Sequence, residues 1–239
     1  MGTIWIGTSG WHYKHWVGKF YPCGLASSRM LAYYTERFDT VELNNTFYKL
    51  PSETGLLNWR DSTPRDFLFA VKGSRFLTHM KKLKDAEQAL ARFLDPVEKL
   101  ESKLGPILFQ LPPKWAVDAG RLAGFLEILP RYHRYAFEFR NPTWETPEIY
   151  DLLRKYNAGY CIFDLAGYTS PLTITADFAY VRLHGPGGKY QGTYPNAAIA
   201  KWARQLKTWR KRLKSIYVYF DNDDSGFAPQ DALRLKALV

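Results

Sequence analysis

The sequence predicts a single (β/α)8 TIM barrel over residues 1–239, with the sixth helix missing or irregular. Eight short apolar segments recur along the 239 residues, and helical patterns lie between most of them. No internal repeat, low-complexity segment or Pro/Gly/Ser-rich linker divides the chain. Strands that alternate with helices pair in parallel, and eight such units in a chain of this length favour one closed barrel. A doubly wound open sheet is the alternative.

The eight predicted strands are short apolar segments, most of them rich in β-branched and aromatic residues, which favour a pleated and half-buried surface. In chain order they are IWIGTSG (4–10), TVELNN (40–45), FLFAVKGS (67–74), PILFQLPP (106–113), YAFEFRNP (135–142), GYCIFD (159–164), AYVRLHG (179–185) and IYVYFDND (216–223).

The predicted helices follow these strands and show helical spacing of apolar residues. They are SSRMLAYYTERF (27–38), ETGLLNWRDS (53–62), KDAEQALARFLDPVEKLESKL (84–104), DAGRLAGFLEIL (118–129), ETPEIYDLLRKY (145–156), NAAIAKWARQLKTWRKRL (196–213) and PQDALRLKALV (229–239). Ser27, Asp118, Thr146 and Asn196 are candidate N-caps. The connection after Asp164, LAGYTSPLTITADF, has β-branched residues and a proline but no helical period, so no helix is predicted there.

Composition limits the class of protein and its partners. Hydrophobic residues make up 46% and aromatic residues 16% of the chain, which excludes a disordered chain. The formal charge of +10 favours an anionic partner. Residues 201–214 carry seven cations and no acid, which indicates either a solvated helix or a nucleic-acid contact. Two cysteines, no basic leader and no long apolar run predict a cytoplasmic protein without a membrane segment.

The polar residues of the predicted strands gather at the strands' C-terminal ends, where barrel enzymes build their active sites. Alternate residues of a barrel strand face the axis, and the helix-facing set is the more uniformly apolar. Ile6, Leu68, Leu108 and Ile162 are expected below the polar level. The inward polar set is Thr8, Glu42, Asn44, Lys72, Gln110, Glu138, Arg140, Asp164, Arg182, His184 and Asp221. This gradient predicts a ligand pocket at the mouth of the barrel.

Carboxylates close to cations or apolar walls can act as general acids or bases, so Glu42, Glu138 and Asp221 are the catalytic candidates, with Glu42 first. Lys72, Arg140, Arg182 and His184 are expected to orient a small polar or anionic substrate. A second interpretation gives Lys72 a Schiff-base role, since a strand-borne lysine of depressed pKa suits a carbonyl substrate. A third interpretation treats the inward polar set as charges that only neutralise one another, with Lys72 beside Glu42 and Asp164 between Arg140 and Arg182.

Loop residues extend the predicted pocket. The segment HGPGGKYQGTYP (184–195) follows the seventh strand, where barrels often bind phosphate through glycine-rich backbone, and Lys189 adds a charge. Gly187, Gly188, Lys189 and Tyr190 are therefore candidate binding residues. Trp11 and Tyr48 belong to a set of loop aromatics that can stack on sugars or bases. The alternatives are a plain turn for the glycines and loop packing for the aromatics.

Several chemistries lack a motif in this chain. No GxSxG segment, HExxH spacing or nucleotide fingerprint occurs, and neither cysteine has an evident histidine partner. No cofactor and no metal ligand are therefore assigned, and hydrolase or lyase chemistry is favoured over redox chemistry. A divalent-metal isomerase or endonuclease-like barrel using Glu42, Glu138, His184 and Asp221 is an alternative, as is a nucleic-acid-binding or processing protein that uses the 201–214 helix.

Six segments together resemble the YecE-like family of TIM-barrel proteins of undetermined function. They are IGTSGWHYKHWVGKFYP (6–22), FDTVELNNTFYKLP (38–51), FLFAVKGSRFLTH (67–79), GPILFQLPP (105–113), AFEFRNPTW (136–144) and AYVRLHGPGGKYQGTYP (179–195). The resemblance implies one barrel and no catalytic assignment. The residues here that match the motifs are Glu42, Asn44, Lys72, Glu138, Arg140, Arg182 and His184.

Overall fold

A computed structural model describes residues 1–239 and contains a barrel of eight parallel strands, as the alternating pattern predicts. The barrel strands are β1 (Thr3–Thr8), β2 (Thr40–Leu43), β3 (Leu68–Lys72), β4 (Leu104–Gln110), β5 (Tyr135–Glu138), β6 (Gly159–Leu165), β8 (Phe178–Leu183) and β9 (Ser215–Phe220). The remaining strand, β7 (Tyr168–Thr169), pairs antiparallel with β6 outside the barrel. Neighbouring strands pair around the ring in the order β1-β9-β8-β6-β5-β4-β3-β2.

Seven α-helices surround the strands. They are α1 (Met30–Thr35), α2 (Glu53–Asp61), α3 (Glu87–Val97), α4 (Ala119–Ile128), α5 (Pro147–Lys155), α6 (Asn196–Arg210) and α7 (Ala228–Lys236). No helix lies between β6 and β8, where the short hairpin strand β7 stands instead, so the prediction of a missing sixth helix is confirmed. The long helix predicted over 84–104 is shorter, because α3 contains Pro96 in its last turn and a 3-10 segment, Glu98–Lys103, follows it.

The seam between β1 and β2 closes the barrel at its upper end. Gly10 donates its backbone N–H to the carbonyl of Glu42 at 2.8 Å, beside a parallel bridge between Ser9 and Glu42. Below this point the hydroxyl of Tyr34 on α1 accepts the N–H of Thr8 at 3.0 Å and donates to the carbonyl of Thr40 at 3.1 Å. A side chain therefore replaces part of the ladder and satisfies backbone groups that would otherwise be unpaired.

Glycine is required where these two strands approach most closely. A Cβ at Gly7 would lie 2.2 Å from the carbonyl oxygen of Thr40. No side chain fits at that distance, so β1 and β2 meet only because residue 7 has none.

Apolar side chains fill two layers. The larger core lies between the strands and the helices and includes Val41, Phe69, Phe137 and Val218. A smaller cluster fills the barrel below the polar level and consists of Ala70, Leu108, Ala136, Cys161, Phe178, Tyr180, Tyr217 and Tyr219. Because this cluster blocks the lower lumen, polar chemistry on the axis is confined to the mouth.

The expected inward direction is wrong on two strands. Ile6 and Ile162 belong to the core under the helices, so Trp5 and Cys161 are the inward residues at those levels. Thr8 accordingly faces α1, where its hydroxyl lies 2.9 Å from that of Tyr34. Because side chains alternate between the two faces of a strand, an error of one residue reverses the direction expected for every residue of β1 and β6.

Asp164 is the other residue whose expected direction is wrong. Its carboxylate accepts hydrogen bonds from Tyr194 at 2.8 Å and Thr169 at 2.6 Å, on the side of β6 that faces away from the barrel axis. It forms no ion pair with Arg140 or Arg182, which instead share Glu138. Asp164 fastens the loop after β8 to the β6–β7 hairpin.

The helix caps are partly as expected. The side chain of Asp118 accepts from Arg121 N–H at 2.9 Å and that of Thr146 accepts from Ile149 N–H at 3.4 Å. Ser27 and Asn196 do not cap, because Ala26 and Pro195 occupy the cap positions. Ser52 caps α2, although it is not among the predicted caps. No helix in the structure has the length and apolar content that a membrane crossing needs.

Candidate functional site at the barrel mouth

The inward polar side chains at the mouth of the barrel form a polar ring. Arg182 on β8 lies at the centre of this ring and is fully buried. Its Nε and Nη2 donate to Glu42 at 3.1 and 2.7 Å, and its Nη1 donates to Glu138 at 2.9 Å. Nη2 also lies 3.1 Å from Asp221 and from Ser9. The guanidinium group is thereby engaged by three carboxylates. Arg182 is committed to protein partners and holds the carboxylates in place.

Glu42 on β2 is bonded just as fully. Both of its oxygens accept hydrogen bonds, one from Ser9 and Arg182 and the other from Tyr180 at 2.6 Å. The side chain has no exposed surface, and its ion-pair partner is Arg182 rather than the expected Lys72. Direct proton exchange between Glu42 and a ligand would require Tyr180 or Arg182 to move away.

Glu138 on β5 lies between Arg140, which donates through Nε, and Arg182. Burial by itself raises the pKa of the Glu138 carboxyl, but the charges of Arg140 and Arg182 outweigh burial and hold it well below its usual range. Cys161 packs 3.7 Å away, and burial together with the charge of Glu138 raises the pKa of its thiol. The carboxylate is therefore charged and the thiol protonated.

His184 has a defined tautomer. Its Nε2 lies 2.8 Å from Arg140 Nη2, and a guanidinium has only hydrogens to offer, so Nε2 accepts. Its Nδ1 lies 2.9 Å from Asp221 Oδ2 and must carry the proton that it donates there. His184 is thus a neutral imidazole that joins Arg140 to Asp221.

The ring has two levels, a floor and a rim. The floor consists of Ser9, Glu42, Glu138, Tyr180 and Arg182, whose polar groups are buried and mutually bonded. The rim consists of Lys72, Arg140, His184 and Asp221. In the rim, Arg140 engages Glu138 and His184 but has no partner at Nη1, and Asp221 bonds through Oδ2 but has no partner at Oδ1. The Asp221 side chain is 14% exposed, whereas those of Glu42 and Glu138 are fully buried.

Lys72 on β3 is the rim cation without a hydrogen bond or ion pair to the protein. Its Nζ lies over the ring of Phe47, 4.6 Å from the centroid. Burial lowers the pKa of the ammonium group to about 8, aided by Arg182, against the opposing charges of Glu138, Glu42 and Asp221. An amine with a pKa of about 8 is uncharged in about a tenth of the molecules at pH 7 and in about half of them at pH 8.

The charges of the ring balance when Lys72 is protonated. Three carboxylates oppose two guanidinium groups, His184 is neutral, and the ammonium form of Lys72 supplies the remaining positive charge. Burial raises and Arg182 lowers the pKa of Asp221, and the net direction is downward, so Asp221 is a carboxylate. Deprotonation of Lys72 therefore leaves a net negative site.

Other predicted site residues lie around this ring. Asn44 donates from Nδ2 to Ser9 Oγ at 2.6 Å, and its Oδ1 is buried without a partner. Trp11 is nearly buried in the loop after β1 and lines a side cavity. Tyr48 is 81% exposed and contacts Phe47, so it does not reach the ring.

The glycine-rich loop after β8 folds back on itself. Gly188 and Gln191 form an antiparallel bridge, and Gly187 donates to the carbonyl of Gln191 at 3.4 Å. Tyr190 approaches His184 with 5.5 Å between ring centroids, while Lys189 is exposed with its ammonium over Tyr190. Of the candidate residues in this loop, Tyr190 contacts the ring, as a cover on the His184 side.

Sequence reasoning missed Ser9, Tyr180 and Phe163. Tyr180 has the same strand parity as Arg182, so it belonged to the inward set by the period of two. Ser9 follows from the corrected direction of β1. Phe163 packs 6.4 Å from His184 and beneath Arg140, whose Cζ lies 4.8 Å from its ring. The signal for all three was the parity, applied to every strand.

The arrangement of donors bears on metal binding. No three His, Cys, Asp or Glu side chains are placed to hold a metal ion. Both ring nitrogens of His184 are engaged, one as an acceptor from Arg140 and one as a donor to Asp221. A metal at His184 would have to displace one of these partners.

The basic segment 201–214 forms most of α6 and the turn after it. Trp202, Leu206 and Trp209 are buried against the barrel. The opposite face of α6 exposes Lys201, Arg204 and Lys207, and the turn after it exposes Lys211 and Arg212. These cations form an outer stripe along α6 and the turn after it, away from the polar ring.

Comparison with known proteins places this geometry in a family. A family model described as "Protein of unknown function DUF72" matches residues 5–239. The chain belongs to this family. The UPF0759 protein YecE of Escherichia coli K12 is 31% identical over 140 residues, which cover 58% of this chain and 49% of YecE. The chain thus aligns with about half the length of that relative, and the resemblance inferred from the six segments is confirmed.

Longer alignments support the same assignment. The UPF0759 protein YunF of Bacillus subtilis is 25% identical over 272 residues, covering 99% of this chain and 94% of YunF. The crystal structure of a DUF72 family protein from Thermotoga maritima superposes with a TM-score of 0.88 at 28% identity, covering 99% of this chain and 98% of that one. The TIM-like barrel is therefore the fold of this DUF72 chain.

Proposed function

We propose that this DUF72 barrel is an enzyme of lyase type that acts on a small polar or anionic substrate carrying a carbonyl group, with Lys72 as its reactive amine. The observation that carries the proposal is the state of Lys72, which is unpaired, largely buried and of pKa about 8 at the mouth of the barrel. Amines of this kind add to carbonyl carbons because a neutral fraction is present at working pH.

The free atoms of the rim supply the remaining functions. Arg140 Nη1 can donate to a carboxylate or phosphate oxygen, since no protein group occupies it. Asp221 Oδ1 can accept and return protons, because only Oδ2 is bound by the protein. In the first step the Lys72 nitrogen bonds to the carbonyl carbon, the carbonyl oxygen leaves as water, and Asp221 carries protons between the amine and that oxygen.

Glu42 has a supporting part in this proposal. It keeps Arg182 in place from below, and Arg182 in turn orients Asp221 at 3.1 Å. The hypothesis that Glu42 is the acid or base requires a ligand to reach a fully buried carboxylate whose oxygens are already bonded. Lys72 and Asp221 need no such rearrangement.

Reductive trapping tests the proposal. The protein is incubated with a panel of 2-oxo acids and phosphorylated or free hydroxyaldehydes, treated with borohydride, and mapped by peptide mass spectrometry. We expect an adduct on Lys72 for at least one compound, with a yield that rises through pH 8, and no adduct in Lys72→Met. Lys189→Met is the matched control because Lys189 is an exposed lysine at the same mouth.

Two results would contradict this function. One is labelling confined to exposed lysines across the panel. The other is labelling of Lys72 that does not exceed that of Lys189 at any pH between 6 and about 9. An amine of depressed pKa becomes neutral, and therefore reactive, at a lower pH than an exposed lysine does.

A further inference from the structure

A separate cavity of about 620 Å³ opens beside the ring, between the loop after β1, helices α1 and α2, and the end of β2. Its volume lies within the range of small-molecule sites, roughly 300–1,000 Å³. None of the proposed Lys72 chemistry uses it.

The wall contains no Lys, Arg, Asp or Glu. Amides and hydroxyls such as Asn58, Asn44 and Ser28 line it together with the indoles of Trp11 and Trp59, and the imidazole of His12 is also part of it. A wall of this composition offers many hydrogen bonds and no permanent counter-charge, so it suits an uncharged polar ligand. The ring next to it, in contrast, consists of charges.

One polar atom at this wall has no protein partner. Asn44 Nδ2 is occupied by Ser9, whereas Asn44 Oδ1 is buried and accepts no hydrogen bond. A buried acceptor without a donor is unfavourable, because its desolvation is not offset by a hydrogen bond. Because this oxygen has no accessible surface, a ligand hydroxyl or N–H would satisfy it only after the Asn44 amide turns toward the cavity.

The aromatic geometry selects the shape of the ligand. The rings of Trp11 and Trp59 lie 4.9 Å apart with an interplanar angle of 88°. In this edge-to-face pair the edge of one indole contacts the face of the other, so the two rings form no slot between parallel faces, the arrangement that holds a nucleobase best. The partly exposed Trp59 instead suits a thicker ring that offers C–H groups to an aromatic face and hydroxyls to the neighbouring amides and serines.

From this cavity we infer a binding site for an uncharged sugar unit, such as a hexose or a short oligosaccharide end. The site stands independently of the Lys72 chemistry. A further step rests on the proposed function: because Asn44 connects the cavity wall to the ring through Ser9, the substrate of Lys72 would be a carbonyl compound that carries the sugar unit.

Titration by ligand-observed NMR and calorimetry tests the site with neutral hexoses and disaccharides, with nucleosides as a comparison. We expect saturable binding of at least one neutral sugar with Kd of about 1 mM or tighter, and a loss of at least about tenfold in Ser28→Trp, which fills the cavity from an exposed position. Asn58→Leu, also at an exposed residue, should weaken binding without filling the cavity.

Controls separate this inference from the proposed function. Ser102→Trp places the same indole on an exposed serine before β4, at the opposite end of the barrel, and should bind sugar as wild type does. Lys72→Met should also retain sugar binding. Absence of sugar binding by wild type, equal affinity in Ser28→Trp, or preference for nucleosides each overturns the inference. A wild-type protein that binds sugar but gives no borohydride-trapped adduct overturns the function alone.

Discussion

The floor and the rim of the charged ring contain the same kinds of side chain but differ in how fully their polar atoms are bonded. In the floor, Arg182 and Glu42 are fully buried and their charged atoms bond to one another and to Tyr180. In the rim, Lys72 is unpaired and Asp221 keeps a free oxygen. Fully bonded charges act on the stability of the fold, whereas partly bonded charges are available to a ligand, so the two levels should respond differently to substitution.

The largest effect is expected at the centre of the floor. Arg182→Met leaves Glu42, Glu138 and Asp221 without their shared cation in a buried site, which should lower the free energy of unfolding by about 3–5 kcal/mol. Urea unfolding measures it. Arg204→Met, at an exposed arginine of α6, should stay within about 0.5 kcal/mol of wild type. A decrease below about 1 kcal/mol in Arg182→Met would mean that the carboxylates are protonated or solvated.

The second prediction compares a floor carboxylate with a rim carboxylate. Glu42→Gln removes charge-assisted bonds to Arg182 and should cost about 2–3 kcal/mol of stability. Asp221→Asn keeps its outer oxygen in solvent and should cost about 1 kcal/mol. In trapping experiments the order should reverse, with Asp221→Asn reducing the Lys72 adduct more than Glu42→Gln. If Glu42→Gln keeps wild-type stability and abolishes the adduct, Glu42 is the acid or base.

The sequence predicts features that depend on neighbouring residues better than contacts between residues that lie far apart along the chain. The eight strands, the missing sixth helix and the collection of polar residues at the strand ends follow from local periodicity and from the rule for barrel active sites. The full bonding of Glu42 does not, because its partners Tyr180 and Arg182 lie 138 and 140 residues away. Only the closed barrel brings these residues together.

Two misplaced residues show a second limit. Thr8 and Asp164 are polar residues at the C-terminal ends of strands, yet both face away from the axis. Their strands carry apolar residues on both parities, with Trp5 inward beside Ile6 outward, and Cys161 inward beside Ile162 outward. Where both faces are buried, hydrophobic alternation no longer indicates direction.

The third prediction uses the rim amine and its pH dependence. Burial holds the pKa of Lys72 at about 8, below the ordinary value near 10.4, so the unfolded chain binds more protons than the native one between about pH 8 and 10.4. The contribution of Lys72 to stability therefore rises with pH through that window and is least below pH 8. Lys72→Met removes this dependence.

Paired unfolding measurements isolate the effect of Lys72 from other groups. The free energy of unfolding of wild type minus that of Lys72→Met should increase by about 1–3 kcal/mol between pH 7.5 and about 10. The same comparison with Lys189→Met should be flat, because Lys189 is exposed. A flat difference for Lys72 would indicate that its ammonium is as well solvated as one on the surface.

The smallest effect on stability is expected at the outer stripe along α6, which lies outside the polar ring. Replacing Lys207, Lys211 and Arg212 by Gln changes exposed side chains and should alter the free energy of unfolding by no more than about 0.5 kcal/mol. If the net charge of +10 reflects a nucleic-acid partner on this stripe, wild type binds DNA or RNA at low salt with a steep salt dependence.

The variant with all three substitutions should then bind B-DNA more weakly. The slope of the logarithm of its binding constant against the logarithm of salt concentration should be smaller by about 0.9 for each phosphate that it no longer neutralises. Binding that survives this substitution, or no binding by wild type at low salt, would leave the cations as a solvated face, and the chemistry of the chain would then centre on the rim.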